Sequence, residues 1–341
     1  MIILGIETSC DETSAAVVLA NKNDSKVKLL SNIVTTSLLL HVKTGGIIPE
    51  VAAREQIKYI IPTINEALQK AGRKLLDIDS IAVTTGPGLI GSLLVGVETA
   101  KTFAYLLDKP IISVNHLFGH IYANFIDDPN IKNEIEFPAL ALVVSGGHTD
   151  LVLLKKHQDI VWLGGTRDDA AGEAFDKIGR LLNLPYPAGP VVEKLSTKGD
   201  FKKYNFPRPL ISSNDFDFSF SGLKTAVLRE VKNKRLNNKQ IADICASFQK
   251  AIIDTLVAKT IKAAVRYGAK SILLGGGVSA NYELRQDLIA KALEKLPNTL
   301  VFVPAKNLCT DNAAMICAAA FFNHNQTSWQ DVDANPQSYF I

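Results

Sequence analysis

Cysteine is scarce in this chain. Its 341 residues include four cysteines, Cys10, Cys245, Cys309 and Cys317, and no two of them form a Cys-x-x-Cys pair. So few cysteines cannot build a disulfide framework in a chain of this length. We therefore expect reduced thiols in a reducing compartment.

Long hydrophobic runs are missing as well. The apolar run at residues 313–322 falls well short of the roughly 18 residues that suggest a membrane span. The N-terminus reaches the acidic Glu7 almost at once and has no basic region, so it does not resemble a signal peptide. The sequence predicts a cytoplasmic protein without a membrane segment.

A strong excess of one charge is also lacking. The chain has 37 Lys and Arg against 34 Asp and Glu, a formal net charge of +3. This balance does not by itself indicate nucleic-acid binding, but it allows it if the positive charges gather on one face. The chain is 47% hydrophobic, which is enough to bury the cores of two domains or of one large two-lobed domain.

Strand-like and helix-like segments alternate along the sequence. Residues 2–6 and 13–19 are apolar runs on either side of a polar turn and predict a β-hairpin, and residues 27–34 predict a third strand. The same strand–turn–strand pattern returns at residues 139–144 and 151–154. Hairpins are common enough for chance repetition, but the recurrence suggests a duplicated α/β domain.

Further elements follow from apolar periodicity, glycine and proline. Helices are predicted at residues 49–71, 90–107, 170–182, 220–232, 238–267, 282–295 and 313–322, and strands at 81–84, 111–114, 271–274 and 301–303. Pro62 should split or kink the first helix.

Three polar or glycine-rich turns, at residues 8–13, 145–149 and 275–281, each follow an apolar strand. Backbone N–H groups in such turns bind anions, and glycine lets a phosphate approach closely. A single turn of this kind is weak support, but three predict a nucleotide-binding cleft. The sequence has neither a P-loop motif nor a dinucleotide-binding Gly-x-Gly-x-x-Gly motif after a strand.

His116 and His120 are four residues apart and would share one face of a helix, which suits two ligands of one metal ion. Asp311 follows the last predicted strand and could add a carboxylate, while His148 is a possible extra ligand or anion donor. Two imidazoles and one carboxylate suit Fe(II) or Zn(II). An isolated histidine pair is more often two ordinary polar residues on a helix. A zincin peptidase is disfavoured because Leu117 occupies the position of its glutamate base.

Two further segments allow a structural or a functional interpretation. Asp169, Glu173 and Asp176 would line one helix face, either as a solvated salt-bridged surface or as a carboxylate that holds ribose hydroxyls. Phe and Ser alternate in residues 218–221, where the simpler interpretation is a helix N-cap at Ser221.

Eight segments in order, from about residue 4 to about residue 320, closely resemble one family. They are Gly5-Ile6-Glu7-Thr8-Ser9-Cys10-Asp11-Glu12-Thr13, Gly86-Pro87-Gly88-Leu89, and residues 116–120, 144–149, 168–177, 218–224, 275–281 and 309–312. The family is the tRNA N6-adenosine threonylcarbamoyltransferases, once called glycoproteases. The resemblance implies a duplicated actin/sugar-kinase/Hsp70-like (ribonuclease-H-like) α/β fold, with two lobes and a cleft between them. We place the N-terminal lobe at residues 1–114 plus about 315–341 and the C-terminal lobe at residues 115–314.

The resemblance also implies an activity. The family transfers the threonylcarbamoyl group of threonylcarbamoyl-AMP to N6 of the adenosine beside the anticodon, position 37, in tRNAs that read codons beginning with adenosine. The implied metal ligands are His116, His120 and Asp311, holding one Fe(II) or Zn(II). The implied contacts to an ATP- or AMP-type nucleotide are Val143, Val144, Ser145, Gly146, Gly147, Asp176, Gly189 and Asn281. Gly276 and Gly277, in the third glycine-rich turn, are our own candidates for binding the phosphate through their N–H groups. Asp11 and Glu12 are our candidates for the general base.

Partners follow from the same resemblance. Bacterial relatives need a shorter paralogue of the same fold and a small P-loop ATPase, besides the tRNA anticodon loop. Candidates for contact with the tRNA backbone, which could equally be solvated surface, are Lys202, Lys203, Arg208, Lys232, Lys234 and Arg235. The rival functions are a sugar kinase or other ATP-hydrolysing enzyme of the same fold, a non-catalytic partner subunit and, disfavoured, a metallopeptidase.

The chain departs from the family pattern at one position. Relatives usually have Pro-Gly-Gly where this chain has Pro187-Ala188-Gly189. Because Gly189 is kept, we expect nucleotide binding to be kept, with a stiffer loop. The tail after Phe322 matches no motif.

Overall fold

The computed structural model describes residues 1–42, 45–323 and 326–340. The strands are, in chain order, β1 (Ile2–Glu7), β2 (Glu12–Leu19), β3 (Lys28–Thr36), β4 (Ser80–Gly86), β5 (Ile111–Asn115), β6 (Ala139–Val144), β7 (Thr149–Lys156), β8 (Asp159–Gly165), β9 (Ser271–Gly275), β10 (Leu300–Phe302) and β11 (Gln326–Thr327). The α-helices are α1 (Leu38–Val42), α2 (Pro49–Ala71), α3 (Ile90–Leu107), α4 (His116–Tyr122), α5 (Ala171–Leu181), α6 (Ala188–Ser196), α7 (Ser221–Val231), α8 (Asn238–Tyr267), α9 (Tyr282–Lys295) and α10 (Ala313–Asn323).

The chain divides into two compact units. The first comprises Met1–Glu134 and Pro304–Ile341, and the second comprises Ile135–Val303. The predicted lobe boundaries lay at residues 114 and 314, so the first unit extends further into the chain at both junctions. The reason is that α4 packs on α10 within the first unit, which keeps the histidine pair and Asp311 together there.

The two units contain sheets of the same topology, apart from the short edge strand β11, which pairs antiparallel with β5 in the first unit. The strand order is β11-β5-β4-β1-β2-β3 in the first unit and β10-β9-β6-β7-β8 in the second. In each sheet three antiparallel strands form a meander, and two further strands add in parallel beside the first strand of that meander. This repetition confirms the predicted duplicated α/β fold.

The central strand β1 is almost entirely buried, as expected for a strand with helices on both faces. A Cβ atom at Gly5 would lie 2.6 Å from the carbonyl oxygen of Ala313 and would overlap Cys317. Glycine at this position therefore lets α10 lie directly on the sheet. All residues of α10 up to Phe322 are buried, which confirms the predicted closing helix.

The helix α2 begins and ends where the sequence predicts. Pro49 occupies its first turn, where a missing N–H costs nothing, and Gly72 ends it with a left-handed φ of 63°. The helix continues through Pro62, so the predicted split does not occur.

Among the described residues one helix, α3, is long and apolar enough to cross a membrane by length and composition. Leu93, Val97 and Ala100 on this helix are buried, and the helix packs on β4 and α2. A core helix passes the same test of length and composition, so the indication is weak. Its sequence contains no uninterrupted apolar run long enough to predict a membrane span.

Candidate active site

The short helix α4 carries both histidines of the predicted pair. Asn115 precedes it, and the Asn115 side-chain oxygen accepts a hydrogen bond of 2.8 Å from the backbone N–H of Leu117. One turn separates His116 from His120, and their ring centroids are 4.7 Å apart with planes at 78°. The four-residue spacing therefore brings two imidazoles to one place.

Asp311 lies beside this pair. Its Oδ1 is 3.5 Å from Nε2 of His116 and 3.3 Å from Nε2 of His120. Gly119 makes this arrangement possible, because a Cβ atom there would lie 2.8 Å from Cδ1 of Ile316 on α10. The small residue between the histidines thus lets α10, and the turn that precedes it, approach α4.

The cluster fits a metal ion. One donor atom from each of His116, His120 and Asp311 lies within 4.8 Å of the others. Ligands that are each about 2.1 Å from one Zn(II) or Fe(II) ion lie roughly 3–4 Å apart. His120 is fully buried, and neither of its ring nitrogens makes a hydrogen bond of ordinary geometry, although Oδ1 of Asp311 lies 3.3 Å from Nε2. Because buried polar atoms are rarely left unsatisfied, a cation is the natural partner of this imidazole.

Glu7, which the sequence analysis did not select, supports the cluster from behind. Its Oε2 lies 3.2 Å from Nδ1 of His116, and Oγ of Ser9 lies 3.1 Å from the same nitrogen. A carboxylate on the second ring nitrogen fixes the imidazole and directs Nε2 towards a metal. The sequence shows a carboxylate at the end of an apolar strand, but this local pattern does not reveal the contact with His116.

The electrostatics of the two histidines differ. Burial lowers the pKa of His116, but the negative charges of Asp311 and Glu7 outweigh it and raise the pKa to about 9. Burial lowers the pKa of His120, and the contact with Asp311 opposes that shift only in part. The carboxylates thus already favour positive charge at this position.

The turn that carries Asp11 and Glu12 is held by Gln56 of α2. The Gln56 side-chain amide donates hydrogen bonds of 3.0 Å to the carbonyl oxygen of Cys10 and 2.9 Å to that of Glu12. Asp11 is buried. Burial, together with the charges of Asp311 and Asp11, raises the pKa of Glu12 well above its usual range. Gln56 was missed because nothing in its local sequence indicates a contact over more than forty residues.

In the second unit, two glycines bring the predicted nucleotide-binding turns together. A Cβ atom at Gly276 would lie 2.6 Å from the carbonyl carbon of Val144, and Gly276 has a left-handed φ of 88°. A Cβ atom at Gly172, in the first turn of α5, would lie 2.9 Å from the backbone nitrogen of Gly146. The turn after β6, the turn after β9 and the N-terminus of α5 therefore converge, an arrangement that favours an anion.

The turn after β6 is closed by its own hydrogen bonds. The Ser145 N–H donates to the carbonyl oxygen of His148 at 2.9 Å, and the His148 N–H donates to Oγ of Ser145 at 3.2 Å. Gly146 and Gly147 at its tip are exposed, with open space where side chains would be. Val143 and the rest of β6 are buried in the sheet, so this turn presents backbone to a ligand.

Asp176 joins two helices. Its Oδ1 accepts a hydrogen bond of 2.8 Å from the N–H of Ala188 at the start of α6. Burial raises the pKa of Asp176, and this hydrogen bond opposes the shift. Ala188 is buried where a Cβ atom at Gly179 would overlap it, whereas Gly189 has open space beside it. The departure from the family pattern is thus accommodated by Gly179, on the side away from Gly189.

Asn281 starts α9. Its side-chain oxygen accepts a hydrogen bond of 3.0 Å from the N–H of Leu284, and its amide donates one of 2.9 Å to Gln249. These bonds fix the turn that follows Gly276 and Gly277.

Asp168 caps the helix α7 from a distant part of the chain. It accepts hydrogen bonds of 2.6 Å from the hydroxyl groups of Ser219 and Ser221, and of 2.8 Å from the N–H of Phe220. The N-cap residue is Phe220, so the predicted cap at Ser221 lies one residue off and the capping group comes from Asp168.

On the same segment, Lys177 pairs with Asp169 and Glu173, as expected for a salt-bridged face.

Replacing Asp168 by alanine should lower the free energy of unfolding by about 1–2 kcal/mol at neutral pH, the usual cost of a lost helix cap. Burial opposes ionisation, but the hydrogen bonds from Ser219 and Ser221 outweigh it and lower the pKa of Asp168. A lowered folded-state pKa stabilises the fold above the unfolded value of about 3.9, and the gain is lost as the pH falls through the folded value. Urea unfolding should therefore show a smaller difference between variant and wild type at pH 3 than at pH 7.

A control for this effect is Glu66→Ala, which removes a surface ion pair of 2.9 Å with Lys70. It should cost less than about 0.5 kcal/mol. Equal losses in the two variants, or a loss for Asp168→Ala that does not change with pH, would contradict the capping role.

Comparisons with known proteins identify the family of the chain. The family model described as TsaD, tRNA N6-adenosine threonylcarbamoyltransferase, matches residues 28–318. A protein of that name from Syntrophomonas wolfei is 48% identical over 335 residues, which cover 98% of this chain and 96% of the relative. One from Symbiobacterium thermophilum is 50% identical over 335 residues, covering 98% and 95%.

Solved structures agree on the fold. The protein described as T. kodakarensis HypF superposes with a TM-score of 0.61 at 15% identity, over 94% of this chain and 46% of that one. A likeness at this identity concerns the fold alone. On the sequence comparisons, the chain belongs to the TsaD family of tRNA N6-adenosine threonylcarbamoyltransferases.

Proposed function

We propose that this chain transfers the threonylcarbamoyl group of threonylcarbamoyl-AMP to N6 of the adenosine beside the anticodon of tRNAs that read codons beginning with adenosine. The observation that carries the proposal is the cluster of His116, His120 and Asp311 on a chain of this family. We also propose a cytoplasmic location and, as partners, a shorter paralogue of the same fold and a small P-loop ATPase.

The reaction joins a weak nucleophile to an activated donor. The adenosine N6 lone pair attacks the carbonyl carbon of the carbamoyl group, and the new N6–C bond forms as the C–O bond to the phosphate breaks. AMP leaves with the electron pair of that bond, and N6 loses one proton. Since N6 is a poor nucleophile, the enzyme has to hold the two reactants in attack geometry and stabilise the developing negative charge.

The first unit supplies residues for the acyl group. His116, His120 and Asp311 would hold an Fe(II) or Zn(II) ion, which supplies Lewis acidity to a carbonyl oxygen when bound. Glu7 fixes the His116 ring, so that its Nε2 keeps one direction. Asp11 or Glu12 would accept the N6 proton, a role supported by the burial of Asp11 in a turn that Gln56 holds.

The second unit supplies residues for the adenylate. The N–H groups of Gly146, Gly147, Gly276 and Gly277 would bind its phosphate, a role supported by the convergence of these turns with the N-terminus of α5. Asp176 would bind the ribose. Val143, Val144, Ser145, Gly189 and Asn281 would complete the nucleotide contacts.

The direct test uses purified chain loaded with Fe(II) or Zn(II), threonylcarbamoyl-AMP and unmodified tRNA. Mass spectrometry of the digested tRNA should show threonylcarbamoyladenosine formed in equal amount to AMP. Hydrolysis of ATP with a small acceptor, without modified tRNA under any combination of partners, would instead favour a kinase-like or other ATP-hydrolysing enzyme. Proteolysis without tRNA modification would favour the metallopeptidase.

A cluster of exposed cations in the second unit suits the tRNA backbone. We define the basic surface as Lys198, Lys202, Lys203, Lys232, Lys234, Arg235 and Lys239, all exposed. Its two segments are held together because Lys239 Nζ donates to the carbonyl oxygen of Lys198 at 3.1 Å, and Asp243 binds the N–H of Asp200 at 2.7 Å. Arg208, also a candidate from the sequence, pairs with Asp254 at 2.9 Å and is better explained as part of the fold.

The double variant Lys202→Glu/Lys203→Glu should bind tRNA more weakly and with a smaller salt dependence. Each phosphate contact contributes about 0.7–0.9 to the slope of log K against log salt, so the slope should fall by about 1–2. Lys291→Glu/Lys295→Glu on α9, where both lysines pair with Glu294, is the matched control and should keep the wild-type slope. Filter binding across a salt series measures both, and equal slopes for the two variants would remove the basic surface from the tRNA interface.

A further inference from the structure

The tail segment, residues 334–340, belongs to the first unit and packs there against the turn after β4. The N–H of Asn335 donates a hydrogen bond of 2.7 Å to the carbonyl oxygen of Thr85, and the N–H of Gly88 donates one of 3.4 Å to Pro336. A Cβ atom at Gly86 would lie 2.9 Å from the carbonyl carbon of Asn335. The tail segment thus packs on the motif Gly86-Pro87-Gly88, which has no role in the proposed chemistry.

The same segment contacts Asn115, the residue that precedes α4. The Asn115 amide donates to Oγ of Ser338 at 3.3 Å and to the carbonyl oxygen of Tyr339 at 3.4 Å. Its oxygen caps α4 through the N–H of Leu117. The ring of Phe340, which is buried, lies 5.6 Å from that of Phe118 on α4. One side chain therefore connects the tail segment to the start of the helix that carries both histidines.

A second set of contacts connects the motif Gly86-Pro87-Gly88 to His116 through Ser9. The N–H of Leu89 donates to the carbonyl oxygen of Ser9 at 2.8 Å, and a Cβ atom at Gly88 would lie 2.9 Å from Cβ of Ser9. The hydroxyl of Ser9 lies 3.1 Å from Nδ1 of His116. The tail segment thus reaches the His116 ring indirectly, through Gly88 and then Ser9.

We propose that the tail segment, acting through Asn115, positions α4 and preorganises His116 and His120 for the metal ion. A helix of seven residues is too short to be stable without its surroundings, so its orientation has to come from contacts at its ends and sides. Metal ligands have to be held within about 0.5 Å of their productive geometry. Asn115 is not one of the three proposed ligands and acts through the N-terminus of α4, so it is a positioning residue.

Asn115→Asp separates the two functions of this side chain. The aspartate keeps an oxygen acceptor for the N–H of Leu117 but replaces the donor by an oxygen that repels the carbonyl group of Tyr339. Gln337→Glu, at an exposed position of the tail segment, adds the same charge and is the matched control. Deletion of residues 334–341 is a second variant, which removes the tail segment and leaves Asn115 in place.

Two measurements on the full chain test the inference. Co(II) binding is monitored through the visible d–d absorption. Zn(II) affinity is measured by competition with a chromophoric chelator. We expect Asn115→Asp and the deletion to bind Zn(II) about 10–100-fold more weakly, as for other residues that orient metal ligands. At saturating Co(II) their absorption bands should differ from the wild type, while circular dichroism shows the same folded fraction. Gln337→Glu should match the wild type in both measurements.

Wild-type affinity and band shape in both variants would overturn the inference, as would a loss of affinity no larger than the loss of folded protein. The inference rests on the proposed metal centre. Co(II) binding to the wild type distinguishes a failure of the metal centre from a failure of the positioning role. If the wild type binds no Co(II), the metal centre itself fails. If it binds Co(II) and both variants bind it equally well, only the positioning role fails.

Discussion

His116→Ala should bind no Fe(II) or Zn(II) at the cluster and should transfer the threonylcarbamoyl group at least about a thousandfold more slowly. The substitution removes one of three ligands and leaves Glu7 buried without the imidazole that its Oε2 contacts at 3.2 Å. Lewis-acid stabilisation is worth several kcal/mol, and each factor of ten in rate corresponds to about 1.4 kcal/mol. Metal content by mass spectrometry and single-turnover transfer from threonylcarbamoyl-AMP to tRNA measure the two effects.

The matched control is His157→Ala in the second unit, a partly exposed histidine whose ring lies 4.9 Å from that of Phe137. It should keep the wild-type metal content and transfer rate. Asp311→Asn tests the carboxylate separately, since the amide keeps the size but removes the charge. If His116→Ala retained both stoichiometric metal and the wild-type rate, the metal centre would have no part in the reaction.

The sequence predicted the strand framework and the metal ligands for reasons that are visible in the structure. Two apolar runs around a polar turn, a local pattern, predict the β1–β2 hairpin. The hairpin recurs as β6–β7 because the domain is duplicated. The four-residue spacing of His116 and His120 is likewise local. The motif around Asp311 was recognisable through the family resemblance, although its contact with the histidines spans nearly two hundred residues.

Elements with weak local signals were missed. The edge strand β8 exposes Val161 and Trp162, so it lacks the buried alternation that predicts a strand. The helix α6 follows Pro185 and Pro187 and contains Pro190, a composition typical of a loop. Pro190 is nevertheless tolerated, because it lies in the first turn, where its missing N–H would have had no partner within the helix.

Supporting residues could not be predicted from local pattern at all. Glu7, Gln56 and Asn115 act through contacts with residues far away in the chain, and each looks ordinary among its neighbours. Asp168 is similar, because the helix that it caps begins more than fifty residues later. The contacts of such residues depend on how the helices and strands pack, and the apolar periodicity of a single segment does not predict that packing.

Gly276→Ala should weaken AMP binding by about 10–100-fold and lower the unfolding temperature of the nucleotide-free chain. The combination of φ 88° and ψ 163° at this position is nearly exclusive to glycine and costs a residue with a side chain about 1–3 kcal/mol. The new methyl group would also lie 2.6 Å from the carbonyl carbon of Val144, and backbone cannot move aside as a flexible side chain can. The turn after β9 would therefore shift away from the turn after β6, and its N–H groups would no longer point at one phosphate.

Gly222→Ala makes this prediction specific. Gly222 lies in the first turn of α7, and a Cβ atom there meets nothing within 4 Å, so the same methyl group should leave AMP binding unchanged. Calorimetric titration with AMP, at a temperature where circular dichroism shows both variants folded, compares them directly. Wild-type AMP affinity in Gly276→Ala would mean that the close approach of the two turns serves the packing of the sheet and does not shape a phosphate site. A selective loss of affinity would instead tie nucleotide binding to this one backbone contact.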